Sequence, residues 1–250
     1  MSSSTLAIST SSIDVTFGAF KAVDDVTLNI EAGRRYSIIG PNGAGKTTLL
    51  NVLSGRLSPT RGQVFLGRTD ITTMPAHRRL QAGIGRSFQI VNIFRDLTVR
   101  ENLKLAAQAS RFGSTQPWYK PAINYQFLDE TADAVIEEVG LQQYANVLSS
   151  TLSHGEQRAL ELALALASAP KILLLDEPLA GVGHGRVQQT MELIERVSHG
   201  RTILLVEHNM DAVMRFSEQI IVMYAGRVIA QGTPDQVRAD PRVQQAYLGS

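Results

Sequence analysis

The chain has 250 residues, a formal net charge of +1 and no cysteine. Disulfides, thiolate metal sites and cysteine nucleophiles are thereby excluded, and no overall charge bias points to nucleic acid or to an anionic membrane surface. With 44% hydrophobic and 19% charged residues, the composition is that of a globular protein with one large domain or two small ones.

Met1-Ser2-Ser3-Ser4-Thr5 lacks the basic and apolar regions of a secretory signal. The most apolar stretch, Leu160 to Leu175, is interrupted by Glu161, Pro170 and Lys171. No uncharged span approaches the ~20 residues needed to cross a bilayer. The expectation is a soluble chain that reaches any membrane through partners.

Residues 6–30 alternate and are rich in Ile, Val, Thr and Phe, broken at Gly18 and Asp24-Asp25, which predicts two or three short antiparallel strands. Glu31-Ala32-Gly33 turns the chain into a strand over 34–39. There follows Gly40-Pro41-Asn42-Gly43-Ala44-Gly45-Lys46-Thr47-Thr48, and then the helical run 48–53. Strand, glycine-rich loop and helix in that order form the context of a phosphate-binding loop. The glycines let backbone N–H groups curl around an anion without Cβ clashes, and the helix adds the positive end of its dipole. Lys46 would reach the β- and γ-phosphates of a nucleoside triphosphate, and the Thr47 hydroxyl would ligate Mg²⁺.

Gly55 ends that helix, Pro59 to Gly62 turns into a strand over 63–66, and Pro75 opens a short helix that Gly83 ends. Gly85-Arg86-Ser87-Phe88-Gln89 reads as a strand running into a loop. Thr98 and Glu101 fit a capping box, so a helix begins at 99. Residues 111–124, with Gly113, Pro117, Trp118, Tyr119 and Pro121, read as a loop with aromatic anchors, and a second helix spans about 126–139. Lys171 to Asp176 is a continuous apolar run, as in a central parallel strand buried on both faces. A helix over 185–197, a buried strand over 202–206, a hairpin about Ala225-Gly226 and a last helix after Asp240-Pro241 complete the chain. Residues 90–169 are thus mostly helical between segments that alternate strand and helix, which suggests a helical insertion in an α/β core.

Four further positions carry two readings each. Asp176-Glu177 closes the buried strand, either as a cap for the next turn or as a metal-binding and water-polarising carboxylate pair. Ser153 and Glu156 form a capping box for the helix that follows, which also leaves Ser153 and the Gly155 N–H at an anion-binding helix N-terminus. His208, just after Glu207, is satisfied by backbone carbonyls or bonds a terminal phosphate, and a third metal ligand at sensible spacing is lacking. Gln89 is a solvated loop residue or a link between core and helical insertion.

Together these residues resemble the nucleotide-binding subunit of an ABC transporter over nearly the whole chain. The likeness rests on Gly40 to Thr48 (Walker A), Gln89 (Q-loop), Leu152 to Gln157 (signature), Ile172 to Glu177 (Walker B with the catalytic glutamate) and His208 (switch histidine). It also places Phe17 where the family stacks an aromatic on adenine. The fold so implied is an α/β P-loop NTPase. A RecA-like core with an antiparallel β subdomain (1–89 and 170–250) carries an inserted helical subdomain (90–169). The ligands implied are ATP and Mg²⁺. Thr47, Gln89 and Asp176 serve the metal, and Lys46, Gln89, Glu177 and His208 serve catalysis. Ser153, His154, Gly155 and Glu156 meet the nucleotide held by a second subunit, in a head-to-tail homo- or heterodimer.

The resemblance also implies integral membrane permease subunits docked on the helical part, a periplasmic solute-binding protein as an indirect partner, no nucleic acid, and a place at the cytoplasmic face of the inner membrane. Within the family, Gly85 to Gln89, Phe94 to Asn102, the insertion at 111–124 and the closing Ala246-Tyr247-Leu248-Gly249 resemble branched-chain amino acid importer ATPases. Importers of urea, amides or other hydrophobic amino acids share these features. Soluble ABC ATPases share the motifs but usually carry two cassettes or a long coiled-coil insertion. Two departures stand out: His154 and Glu156 replace a glycine and the glutamine of the usual signature, and Gly183 stands where the loop after Walker B usually has Asp or Asn.

Overall fold

The computed structural model describes residues 5–87, 93–112 and 125–248. The alternating N-terminal segment forms two strands, within the expected count of two or three, but long rather than short: β1 (Leu6–Phe17) and β2 (Phe20–Glu31). The break expected at Asp24-Asp25 is a bulge. Ser12 (φ 47°) and Asp25 (φ 53°) take left-handed backbone where the register slips, so the strands bend and continue. The Asp25 N–H donates to the Asp14 carboxylate at 2.8 Å, which supports that bend.

Next come β3 (Arg35–Ile39), α1 (Lys46–Leu53), β4 (Arg61–Leu66), β5 (Thr69–Asp70), α2 (Ala76–Gln81) and β6 (Ile84–Arg86). Then α3 (Val99–Phe112), α4 (Tyr125–Val139) and α5 (His154–Leu166) lead into β7 (Ile172–Asp176), α6 (His184–Ser198) and β8 (Thr202–Val206). The chain finishes with α7 (Met210–Phe216), β9 (Gln219–Tyr224), β10 (Arg227–Gly232), α8 (Pro234–Ala239) and α9 (Pro241–Leu248). The caps read from sequence form as expected: the Thr98 N–H donates to Glu101 at 2.8 Å, and Ala225 (φ 47°) with Gly226 (φ 81°) makes the tight hairpin turn. Helices α7 and α8 were not foreseen, although Asn209 and Thr233 each cap one through the side chain.

One sheet is antiparallel, in the order β2-β1-β4-β5; the other runs β10-β9-β3-β8-β7-β6, parallel except for β10. Helix α1 lies between them, with Leu49 and Leu50 in one cluster with Ile8, Val26, Ile38 and Leu174. On the other face Leu173 and Leu175 join Leu103, Leu160 and Ile194 from α3, α5 and α6. Alternate residues of β7 thus serve two cores, which explains why it reads as an unbroken apolar run. Arg79, 1% exposed, spends all five N–H donors on carbonyls of Val52, Leu53, Ile71, Thr72 and Met74. It thereby completes the C-terminal end of α1, whose dipole favours a cation there.

Candidate active site

The carboxyl ends of β3, β8 and β7 lie side by side, because these strands are parallel neighbours in register. That edge is where open α/β sheets place ligands. From β3 the chain enters the glycine-rich loop. Gly40 (φ 150°) and Gly45 (φ 98°) tolerate no Cβ, which would overlap the carbonyls of Met223 and Ala22 respectively. The loop is braced from outside: the Gly226 N–H donates to Ala44 at 3.1 Å, and the Asp24 N–H to Gly226 at 2.9 Å. Helix α1 starts at Lys46 with no side-chain cap, so its first-turn N–H groups face the loop cavity. The Lys46 ammonium is buried and donates to Gly40 at 2.8 Å and to Pro41 at 3.0 Å. Burial holds its pKa below the usual lysine value, against the opposing pull of Glu177 and Asp176.

Across the loop stand the two carboxylates. The Thr47 hydroxyl donates to Asp176 Oδ1 at 3.3 Å, and Arg86 Nη2 holds Oδ2 at 2.8 Å. Glu177 sits just past β7 with φ 50°, a left-handed conformation that costs an L-residue about 1–2 kcal/mol. Its N–H donates to Val206 at 2.9 Å, and its Oε1 meets His208 Nε2 at 2.8 Å. Backbone strain held in place by neighbours is common where chemistry happens. Glu207 is not a ligand in waiting. It is buried and accepts the N–H groups of Leu179 at 2.7 Å and His208 at 3.0 Å, so it ties the turns after β7 and β8 together.

Thr47 and Asp176 offer hard oxygen donors, and no third carboxylate or imidazole joins them in a metal cluster among the described residues. Such a pair fits Mg²⁺, which usually keeps waters and takes phosphate oxygens alongside one or two carboxylates.

The signature residues lie elsewhere on the surface. Ser153 caps α5, its N–H donating to Glu156 Oε2 at 2.6 Å, and Ser153, His154 and Gly155 are exposed. A hydrogen bond from Tyr144, and then the Ser153 groups, hold the Glu156 carboxyl below the usual glutamate range. Arg158 bridges this helix to the loop after β7, donating to Glu161 at 2.9 Å and to the Ala180 carbonyl at 3.1 Å. Phe17, at the tip of the β1–β2 hairpin, is 51% exposed, and the same hairpin carries Ala22 against Gly45. Gly183 begins α6 without a side-chain cap. Gln89 and most of the 111–124 insertion lie outside the described residues.

The fold thus brings together Lys46, Thr47, Asp176, Glu177 and His208, while Ser153 to Glu156 form a separate face. Sequence reasoning named Arg86 and Glu207 but not their roles, since the contacts of Arg86 with Asp176 and of Glu207 with Leu179 form only when the strands pair.

Comparison with known proteins decides the family. The family model described as "ABC transporter" matches residues 23–180, more than half of the chain. The chain belongs to the ABC transporter ATP-binding family. A second model, "Branched-chain amino acid ATP-binding cassette transporter", matches residues 227–250 of this ABC subunit. It is 39% identical over 246 residues to BraF of Pseudomonas aeruginosa, a high-affinity branched-chain amino acid transport ATP-binding protein, covering 96% of each chain. It is similar to MJ1267, an ATP-binding cassette solved in an ADP conformation, with a TM-score of 0.83 and 29% identity, covering 98% of this chain and 99% of that one. It is also similar to the bacterial cassette MJ0796, solved as a dimer, with a TM-score of 0.76 and 27% identity, covering 91% and 98%. As an ABC cassette the chain binds nucleotide and hydrolyses ATP.

Between α2, α3 and α5 runs an apolar groove of 620 Å³, lined by Leu80, Phe94, Leu105, Leu164, Ser54 and Arg86 among others. Phe94 and Leu105 are exposed there. No helix among the described residues is long and apolar enough to cross a membrane.

Proposed function

We propose that this chain is the ATPase subunit of an importer for branched-chain or other hydrophobic amino acids. The observation that carries the substrate class is the joint likeness to BraF along the chain and to the branched-chain model at its C-terminal end.

In this reading the triphosphate lies on the loop, its oxygens met by the N–H groups of Asn42 to Thr48 and by Lys46, while Phe17 stacks on the base. Thr47, Asp176 and Gln89 would hold Mg²⁺, which would supply charge neutralisation when bound. Glu177 takes a proton from water as the water oxygen bonds to the γ-phosphorus, and the bond from that phosphorus to the bridging oxygen of ADP breaks. His208, now 2.8 Å from Glu177, bonds the transferred phosphoryl and keeps Glu177 aimed. The strained backbone at Glu177 supports this role, because a carboxylate fixed by its main chain needs no reorganisation.

A second cassette, identical or related, brings Ser153, His154 and Gly155 to the same phosphates from the open side. The chain divides in function into a core (1–89 and 170–250) and a helical part (90–169), and the groove between them receives a cytoplasmic helix of the membrane permease. In this reading the chain works at the cytoplasmic face of the membrane, with a solute-binding protein acting on the far side. Reconstitution with its permeases tests the substrate class: leucine, isoleucine or valine should stimulate phosphate release more than urea or short amides. Equal or reversed stimulation contradicts the assignment.

A further inference from the structure

Arg86 has no role assigned to it within the stretch Gly85 to Gln89, yet it touches two functional regions at once. Its Nη2 holds Asp176 Oδ2 at 2.8 Å, which leaves Oδ1 to the Thr47 hydroxyl. Its Nη1 donates to Asn51 at 2.7 Å and to Ser54 at 2.9 Å, near the far end of α1. Arg86 and Ser54 are also among the residues that line the apolar groove. The side chain is only 9% exposed, and a planar guanidinium held by three acceptors turns only if those partners move with it.

We propose that Arg86 is a positioning residue that aims Asp176 at the magnesium position and carries the occupancy of the groove to it. The proposal rests on the ATPase reading above. Its path is short: groove wall, guanidinium, carboxylate. A helix pressed into the groove meets Arg86 and Ser54; if it displaces the guanidinium, Oδ2 is released and the carboxylate is free to rotate. Occupied and empty grooves then differ in how well Thr47 and Asp176 hold a metal, which is the differential interaction that coupling between two sites requires.

The test uses the full chain and a fluorescent ATP analogue, titrated in EDTA and over a series of Mg²⁺ concentrations. Removing the outer partner of a metal ligand typically weakens metal binding about 10–100-fold. Arg86→Ala should therefore raise the Mg²⁺ concentration for half-maximal tightening about tenfold or more, while Mg²⁺-free affinity stays within about twofold. Arg86→Lys should recover part of that loss, since it keeps a cation beside Asp176 but not the fork. If Arg86→Ala does not fold, Arg86→Gln is held to the same expectation.

The chain has no cysteine, so Leu105→Cys provides one thiol on the groove wall, and coupling it to pyrene maleimide fills the groove. The label should shift the Mg²⁺ half-saturation when Arg86 is present and leave it unmoved in the Arg86→Gln background. Equal losses with and without Mg²⁺, no change in either, or a label effect independent of Arg86 would each overturn the proposal. A wild-type chain whose nucleotide affinity ignores Mg²⁺ would instead overturn the ATPase reading beneath it, before any substitution is made.

Discussion

The phosphate loop and the signature helix both present a helix N-terminus to an anion, yet one is finished within the chain and the other is left open. On the loop side Lys46 is 5% exposed and tied to two carbonyls, and Asp176 is pinned between Thr47 and Arg86. On the signature side Ser153, His154 and Gly155 face solvent, and a glutamate carboxylate already fills the cap. On the proposed function the loop side positions reacting groups, whereas the signature side receives a nucleotide held by another subunit. Neither surface alone surrounds a triphosphate, so the difference points to a second subunit.

Substitutions sharpen this contrast, and the largest effect belongs on the loop side. Glu177→Gln should slow phosphate release about a hundredfold or more while ATP binding persists, because only the proton acceptor is lost. Nucleotide then holds two copies together, so sedimentation should show an ATP-dependent dimer; near-normal phosphate release would remove Glu177 from the mechanism. Lys46→Ala comes next. It deletes charge-assisted contacts worth about 1.5–3 kcal/mol each, so a nucleotide titration should show at least about tenfold weaker binding.

Ser153→Ala separates the two faces. Affinity of the single subunit for ATP should stay within about twofold, as for an exposed substitution, while turnover falls about tenfold or more. A matching loss of affinity in the isolated subunit would place Ser153 on the subunit's own nucleotide and break the contrast.

Smaller effects concern the two departures from the family pattern. Glu156→Gln removes a carboxylate from the receiving surface, so less ATP should be needed to form the dimer. The same change has a pH signature. The folded-state pKa of Glu156 is depressed from 4.5, first by Tyr144, so its contribution to stability is present above that value and is lost as pH falls through the folded-state pKa. The melting temperature of Glu156→Gln should accordingly drop less on acidification than that of the parent. Gly183→Asp gives α6 the cap it lacks and should add a few tenths of a kcal/mol, read as a slight rise in melting temperature.

Much of the loop side was legible because its groups are local: the glycines, Lys46 and Thr47 occupy one turn, and Asp176-Glu177 closes one apolar strand. The signature cap was legible for the same reason, since Ser153 and Glu156 are three residues apart. What escaped is non-local. Arg86 meets Asp176 across 90 positions of sequence, through the parallel pairing of β6 and β7. Arg79 reads as one of several basic residues in a short helix until the end of α1 is laid over it. The break expected at Asp24-Asp25 did not form because a bulge and a chain break share the same local signal, a polar residue comfortable in left-handed backbone. Sheet order is likewise invisible in periodicity, which reports which face is buried and not which neighbour buries it.

The central claim, that one nucleotide is shared between the loop of one subunit and the signature helix of the next, is tested most directly by mixing two impaired variants. A dimer of Lys46→Ala with Ser153→Ala chains contains one site with both residues intact and one with both lost. The ATPase rate of the mixture should rise well above the sum of the two separate preparations. A rate equal to that sum, in a mixture shown to form mixed dimers, would mean that the two residues serve different nucleotides.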